Sequence, residues 1–433
     1  GHTLASAQVM AEGKTQRVDL TLPNIELPKE FGTYVSADMH VHMNYGGQYK
    51  QTKVGLAKQA KAEGLDIVYN LLVNKEQRIP DIAEFKTTKD VIDGVTIYQA
   101  QEFHSSYWGH MSFLHLDDHL LTPDFTSYRH TALSSPYPTN GVMIDLAREQ
   151  GAVAGYVHPF DKMPDPKTAG TLSNSLPVDV VLGKADYMEV VSFADHAETA
   201  KVWYKFLNLG YPLAAGAGTD AMTNYASLRG PVGLNRVYLR ARADDPASLK
   251  QAIKNGNSFV TNGPLIGILA KEKSQKNYIG SGEHLTLPEQ GGILTLKVAL
   301  NSYVPVQRLE VVQNGVVVKS VDMGENPYSA AAEIEIPTSV SGWVLLRAVN
   351  DNAHIFVQDL YTYATTNPIW IDVANKPQAA PLDAQYFINW LDRIEESVNT
   401  RNEDFNAAWE KQATLADIEK ARAAIGEKLN GHH

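Results

Sequence analysis

The sequence predicts an α/β protein: a barrel of β-α units, then a small β-sandwich, then a helical tail. Three observations carry this. From Phe31 to about Asn262, apolar β-branched runs alternate with amphipathic stretches that end at Gly. Repeating units of that length call for a parallel sheet with helices outside, and a barrel is its natural closure. From about residue 284 the texture changes to short alternating strands separated by Gly, Asn and Pro turns, with Asn314-Gly315 marking a hairpin. The stretch from 376 to 430 then keeps helical periodicity, enough for two helices. The expected organisation is an N-terminal β extension over 3–30, a barrel over 31–283, a sandwich over 284–375 and C-terminal helices over 376–430.

Each element has its own signal. RVDLTLPNIELP, bounded by prolines, reads as a short added strand. TYVSADMHVH is a strand, and VGLAKQAKAEGLDIVYNLLV is a helix, a Gly stop and a buried strand. DGVTIYQAQEF and DYMEVVSF are strands, while GVMIDLAREQGAVAGYVHPF and TAKVWYKFLNLGYPLAAGAGTD each read helix, Gly, strand. LKQAIKNGNSFVTNGP closes the series. The tail can pack on the body or mediate homo-oligomerisation.

Composition bounds the function. With 433 residues the chain suggests two or three domains, and 44% hydrophobic residues supply a core. Lys+Arg 38 against Asp+Glu 49 gives a net charge of -11, from which the expectation is no nucleic-acid partner and no anionic membrane. No apolar run approaches a transmembrane length, so no membrane insertion is expected. The absence of cysteine rules out disulfides, thiolate metal sites and a cysteine nucleophile. It suits an exported bacterial protein as well as a cytosolic one; the exported compartment is the expectation, with any signal lying upstream. Gly1-His2 and Gly431-His432-His433 look like cloning remnants and are left out of the chemistry.

The chemistry gathers at strand ends. On a strand, residues two apart share a face, so His40 and His42 project side by side and can chelate one ion. Glu102, His158 and Asp220 each end another predicted strand, and His110 follows Glu102 in the loop SSYWGHMSF. Hard or borderline ligands delivered by several strand ends make a metal centre a better explanation than turn residues that happen to be His, Glu or Asp. His104, two beyond Glu102, and His196, in VVSFADH, are candidates for a general acid or base, or are loop histidines bonded to carbonyls. Tyr107 and Trp108 can wall a flat aromatic substrate or pack under their loop. Arg229 and Arg236 flank GPVGLN and can meet an anionic substrate group or pair with a carboxylate.

The ordered set DMHVH, QEFHSSYWGH, YVHPF and GTD resembles the polymerase-and-histidinol-phosphatase (PHP) superfamily of metal-dependent hydrolases. SLRGPVGLNRVYL, AIKNGNSFVTNGPLIGI and VLLRAVND…YTYATTNPIWIDV are similar to its carbaryl-hydrolase-like branch, the CehA/McbA type. The resemblance implies a distorted PHP-type (β/α)7 barrel followed by an Ig-like sandwich and a helical tail. It implies one metal held by His40, His42, Glu102 and Asp220, and a second held by Glu102 as a bridge with His110 and His158. The family's Thr-Asp-His reads Leu71-Leu72-Val73 here, and its final Asp-x-His reads Asp220-Ala221-Met222, so a third position is expected to be lost.

The expected cofactor is therefore one or two divalent transition metal ions: Zn, Mn or Fe. The expected activity is hydrolysis of an ester-like bond (carbamate, carboxylic ester or phosphoester) in a small, possibly aromatic molecule, using metal-activated water. Two alternatives stand beside it: a metal-dependent lyase performing retro-aldol cleavage of an aromatic substrate, and a non-catalytic binding protein on an eroded barrel.

Overall fold

A computed structural model of the chain describes residues 5–10, 13, 15–22, 24–73, 80–123, 126–168, 170, 172–358 and 360–430. The fold is mixed α/β, and its first half is a ring of strands. Strand β1 (Val35–His42) leads through helix α1 (Lys53–Ala62) to β2 (Ile67–Leu72), which pairs parallel with it. A short β3 (Asp90–Ile92) turns back into β4 (Val95–Phe103), which lies parallel to β2. Next come β5 (Met111–Leu114), helix α2 (Asn140–Glu149) and β6 (Val153–Tyr156). Helix α3 (Leu176–Val181), β7 (Tyr187–Val191), helix α4 (His196–Asn208) and β8 (Ala214–Ala217) follow, with β6, β7 and β8 mutually parallel in order. The chain runs on through β9 (Ala221–Met222), which pairs parallel with the end of β1 and closes the barrel.

The expected uniformly parallel sheet needs correction, since β3 already runs antiparallel to β4. β5 runs antiparallel to both β4 and β6. Only residues 104–110 join β4 to β5, and a parallel crossover needs a dozen residues or more, so the chain can only turn back on itself. A second correction concerns RVDLTLPNIELP. Its described residues form no strand beyond a single bridge at Asn24, and most are exposed, although Ile25 is buried. Alternation there has no neighbouring strand to pair with.

β10 (Arg236–Leu239), helix α5 (Pro246–Asn255) and β11 (Ser258–Thr261) extend the sheet antiparallel from the start of β1. β12 (Leu265–Glu272), which the sequence places with the barrel, instead leads into the second layer pair. The elements after it are β13 (His284–Leu287), β14 (Gly292–Asn301), β15 (Arg308–Gln313), β16 (Val316–Ser320) and β17 (Ser329–Thr338). They are followed by β18 (Gly342–His354), β19 (Leu360–Thr366) and β20 (Ile369–Val373). β12, β14 and β17 form a three-stranded sheet that packs across a shared apolar core, including Ile266, Leu296, Leu309, Val311 and Leu346, onto the sheet carrying β15 and β18. Asn314 and Gly315 both take positive φ (51° and 83°), the backbone of a tight hairpin turn between β15 and β16. β11 pairs with β19, so the barrel sheet continues into this region.

Helices α6 (Pro381–Thr400) and α7 (Ala408–Asn430) end the described chain. The apolar stripe of α6 (Phe387, Trp390, Leu391 and Ile394) is buried in the same core as the barrel helices. That stripe covers this body rather than facing outward for a second copy.

Candidate metal centre

Asp38, His40 and His42 alternate on β1, as the spacing predicts, and all three are buried. Asp38 accepts backbone N–H bonds from His40 (3.1 Å), Thr219 (3.0 Å) and Gly233 (2.7 Å), which ties β1 to the loops after β8 and β9. Burial pushes its carboxyl up to about 6, against the pull of those donors.

The orientation of each imidazole follows from its partner. His42 Nδ1 lies 2.8 Å from the Leu71 carbonyl oxygen, and His40 Nδ1 lies 3.2 Å from Glu189 Oε1. Both partners are acceptors, so each Nδ1 donates, and a neutral ring then presents a lone pair at Nε2. The two Nε2 atoms are 3.1 Å apart. Glu102 Oε2 approaches them at 3.7 and 3.3 Å, and Asp220 Oδ1 at 3.4 and 3.1 Å. Among the described residues Asp220 Oδ1 is buried with no hydrogen-bond partner. Four acceptors facing one point repel unless a cation stands among them, and two imidazoles with two carboxylates suit a divalent transition metal. The electrostatics agree. Burial pulls His40 down, yet Asp220 and Glu189 outweigh it and hold the ring well above its usual value. Burial pushes Glu102 up, yet the surrounding imidazoles hold it well below the carboxylate range. The cluster demands positive charge, as proton or as metal.

The other Glu102 oxygen looks the opposite way. Oε1 lies 3.1 Å from His110 Nδ1 and 3.5 Å from His158 Nε2. One carboxylate thus faces two imidazole pairs, the geometry of a bridge between two cations. His158 and Asp220 sit at left-handed φ (32° and 56°), a conformation that costs energy for residues with a Cβ. It turns both side chains inward just beyond their strands. His104 follows the end of β4, half-buried, with its ring centroid 3.8 Å from that of His110. Burial pushes its imidazole down to about 4. Groups able to hold a metal, with donor atoms within 4.8 Å, are His40–His158–Asp220, His40–His42–Glu102 and Glu102–His104–His110. None of these groups draws on Leu71, Leu72, Val73 or Met222; Lys75, beside the first stretch, lies outside the described residues.

Arg229 joins the cluster through Nη1, 2.6 Å from Asp220 Oδ2, and lies 4.4 Å over the Phe193 ring. Four other candidates sit elsewhere. His196 Nε2 lies 2.7 Å from the Ser192 carbonyl oxygen, and its ring packs on Tyr361 and Tyr363, because the α4 N-terminus folds it back toward β19. Arg236 spans the Gly233 and Glu63 carbonyl oxygens at 2.6 and 2.9 Å, holding the end of α1 rather than a ligand. Trp108 is 1% exposed, with Nε1 donating to the Pro136 carbonyl at 2.6 Å, so it offers no wall to a substrate. Tyr107 bonds Ser397 at 2.9 Å under the Arg401 guanidinium, docking its loop on the C-terminal helices.

Glu189 is the residue that sequence reasoning missed. Fully buried on β7, it orients His40 through Oε1 and accepts the His158 backbone N–H at 2.9 Å through Oε2. Its signal was available: an acidic residue amid the apolar run YMEVV. Phe193, at the mouth and 4.8 Å from the His158 ring, was missed as well.

No protein-family model and no curated protein sequence matches the chain. Among solved structures it is similar to the novel lesion-specific endonuclease PfuEndoQ from Pyrococcus furiosus, at 15% identity and a TM-score of 0.34, over 51% of this chain and 56% of that one. It is also similar to PsfC from Pseudomonas syringae PB-5123, at 15% identity and a TM-score of 0.31, over 48% and 83%. A third is Endonuclease Q in complex with a 27-mer duplex substrate with an abasic lesion at the active site, at 13% identity and a TM-score of 0.32, over 51% and 57%. The similarity thus spans little more than half the length of the two endonuclease chains. Against the expectation of no nucleic-acid partner stands Endonuclease Q, a similar structure that is itself a complex with a 27-mer duplex substrate. Net charge summed over a chain does not set the local potential at a site that carries its own guanidinium, here Arg229 beside Asp220.

Proposed function

We propose that the chain is a metal-dependent hydrolase of an ester-like bond, with His40, His42, Glu102 and Asp220 holding one divalent ion and Glu102, His110 and His158 a second. The observation that carries this is the convergence of two imidazole lone pairs and two carboxylate oxygens on one point. When bound, such ions polarise the scissile bond and acidify water. The chain's own residues then hold and orient. Glu189 and the Leu71 carbonyl keep both β1 imidazoles in the ligating tautomer. Phe193, 38% exposed, lies beside the His158 ring at the same mouth where the Arg229 guanidinium packs on it. These two suit a substrate with a flat ring next to the ester, its carbonyl, carbamate or phosphate oxygen turned toward the guanidinium. The finer CehA/McbA-type assignment and the Ig-like character of the 284–375 sandwich rest on the sequence motifs and belong to this same reading.

The test begins with elemental analysis of the purified protein beside a His40→Ala/His158→Ala variant. One to two equivalents of transition metal, lost in the variant, are expected. Aryl carbamates, aryl esters, phosphoesters and an abasic duplex are then offered in labelled water, and the label should enter the product. A protein that takes up no metal on reconstitution, or turns substrate over without the label, sinks the reading.

A further inference from the structure

We infer that His104 is a metal ligand: it completes the second position as a site of three imidazoles and one carboxylate, rather than acting as a proton carrier. This deepens the two-ion reading above and rests on it. Three observations support it. A nitrogen of His104, a carboxylate oxygen of Glu102 and a nitrogen of His110 all lie within 4.8 Å of one another, the span of donors around a single ion. His104 and His110 approach closely, with ring centroids 3.8 Å apart, although neither bonds the other. Among the described residues no hydrogen bond or ion pair engages His104, while the rings of His40, His42, His110 and His158 each have a carboxylate or carbonyl partner. A half-buried imidazole set beside a carboxylate with both nitrogens unengaged is spare ligand capacity.

The backbone explains why it is there. β4 ends at Phe103, and the pairing of Phe103 with Met111 brings the start and the end of the 104–110 loop together. His104 and His110 therefore flank the mouth of one tight loop, with Glu102 beneath them. The same loop is anchored at its far side by Tyr107 on Ser397 and Trp108 on the Pro136 carbonyl. That anchoring holds two histidines at one ion, as a rigid support should. The two positions then differ in donor set. The β1 position offers two nitrogens and two oxygens, whereas the loop position gathers Glu102, His104 and His110 within 4.8 Å, with His158 Nε2 3.5 Å from Glu102 Oε1, a nitrogen-rich set that suits zinc or iron better than manganese.

The test uses the full chain freed of metal and titrated with cobalt(II), following calorimetry and visible absorption. Wild type should bind two equivalents. His104→Ala and the bulkier His104→Gln should keep the first and bind the second at least tenfold more weakly, with an altered visible spectrum. His42→Ala should do the converse, weakening the first and sparing the second. Added imidazole should restore the second equivalent to His104→Ala, which a merely structural role would not allow. Circular dichroism checks that each variant is folded. Unchanged affinity and spectrum in both folded His104 variants overturn the proposal and leave the two-ion reading intact. A single equivalent on wild type overturns it together with the two-ion reading, and none at all removes the metal-centred reading as well.

Discussion

At the scale of single residues, the candidate centre depends on groups outside its own donor set. Glu189 is the plainest case, since it fixes both the His40 tautomer and the His158 backbone. Glu189→Gln keeps the shape and removes the charge, and it is expected to weaken metal binding by roughly 10–100-fold with little change in secondary structure. Calorimetric titration of the metal-free variant measures this. Removing the ions should itself destabilise the fold, because four buried acceptors are then left facing one another. A chelator is expected to lower the melting temperature of wild type and to have little effect on His40→Ala/His158→Ala. The convergence of these side chains was legible because strand alternation and strand ends fix which residues meet. Of the two roles the sequence left open for His196, the carbonyl-bonded one holds, and Arg236 is likewise held by carbonyls: a side chain near a site can be claimed by a nearer acceptor, and spacing does not reveal that claim.

At the scale of elements, the close approach of β8 to β1 makes one glycine obligatory. A Cβ on Gly218 would sit 2.3 Å from His40 Cβ and 2.7 Å from Glu189 Oε1. Gly218→Ala should therefore push β1 outward, costing about 1–3 kcal/mol of stability and most of the metal affinity. Thermal unfolding and metal titration on one preparation check both effects. A second test lies where α3 meets β6. Asp179 is fully buried, accepting from Tyr156 Oη at 2.5 Å and Ser175 Oγ at 3.0 Å. Burial outweighs these donors and pushes its carboxyl up from 3.8 to about 7. With the folded value raised, its protonated form stabilises the native state fully below about 3.8, and that contribution is lost as pH rises through about 7. Wild type should lose stability across that window relative to Asp179→Asn, on the order of 1 kcal/mol per pH unit. Parallel curves for the two proteins in that range would refute the assignment.

At the scale of the whole molecule, the C-terminal helices support the site loop. Trp390 is fully buried in α6, and its Nε1 donates to the Asn174 carbonyl at 3.0 Å. Lys205 and Asn208 of α4 bond Asp383 at 2.7 and 2.8 Å, fixing the start of the same helix. Trp390→Ala should cost about 3–5 kcal/mol, read as a fall in the denaturant midpoint. It should also loosen the loop carrying His110, read as faster amide exchange over residues 104–110. By itself the sequence determined the β-α alternation, the later run of short strands, the helical tail and the candidate set of His40, His42, Glu102, His158 and Asp220 at strand ends with His110 in the loop after β4. Each of these is written in local periodicity, which backbone geometry converts directly into faces and ends. Only the tertiary structure decided that β5 turns back antiparallel, that Glu189 stands behind His40, that Trp108 is packing and that Arg229 reaches Asp220. Those are pairings between residues distant in the chain, chosen by register and by competition for buried partners, and no local pattern encodes which competitor wins.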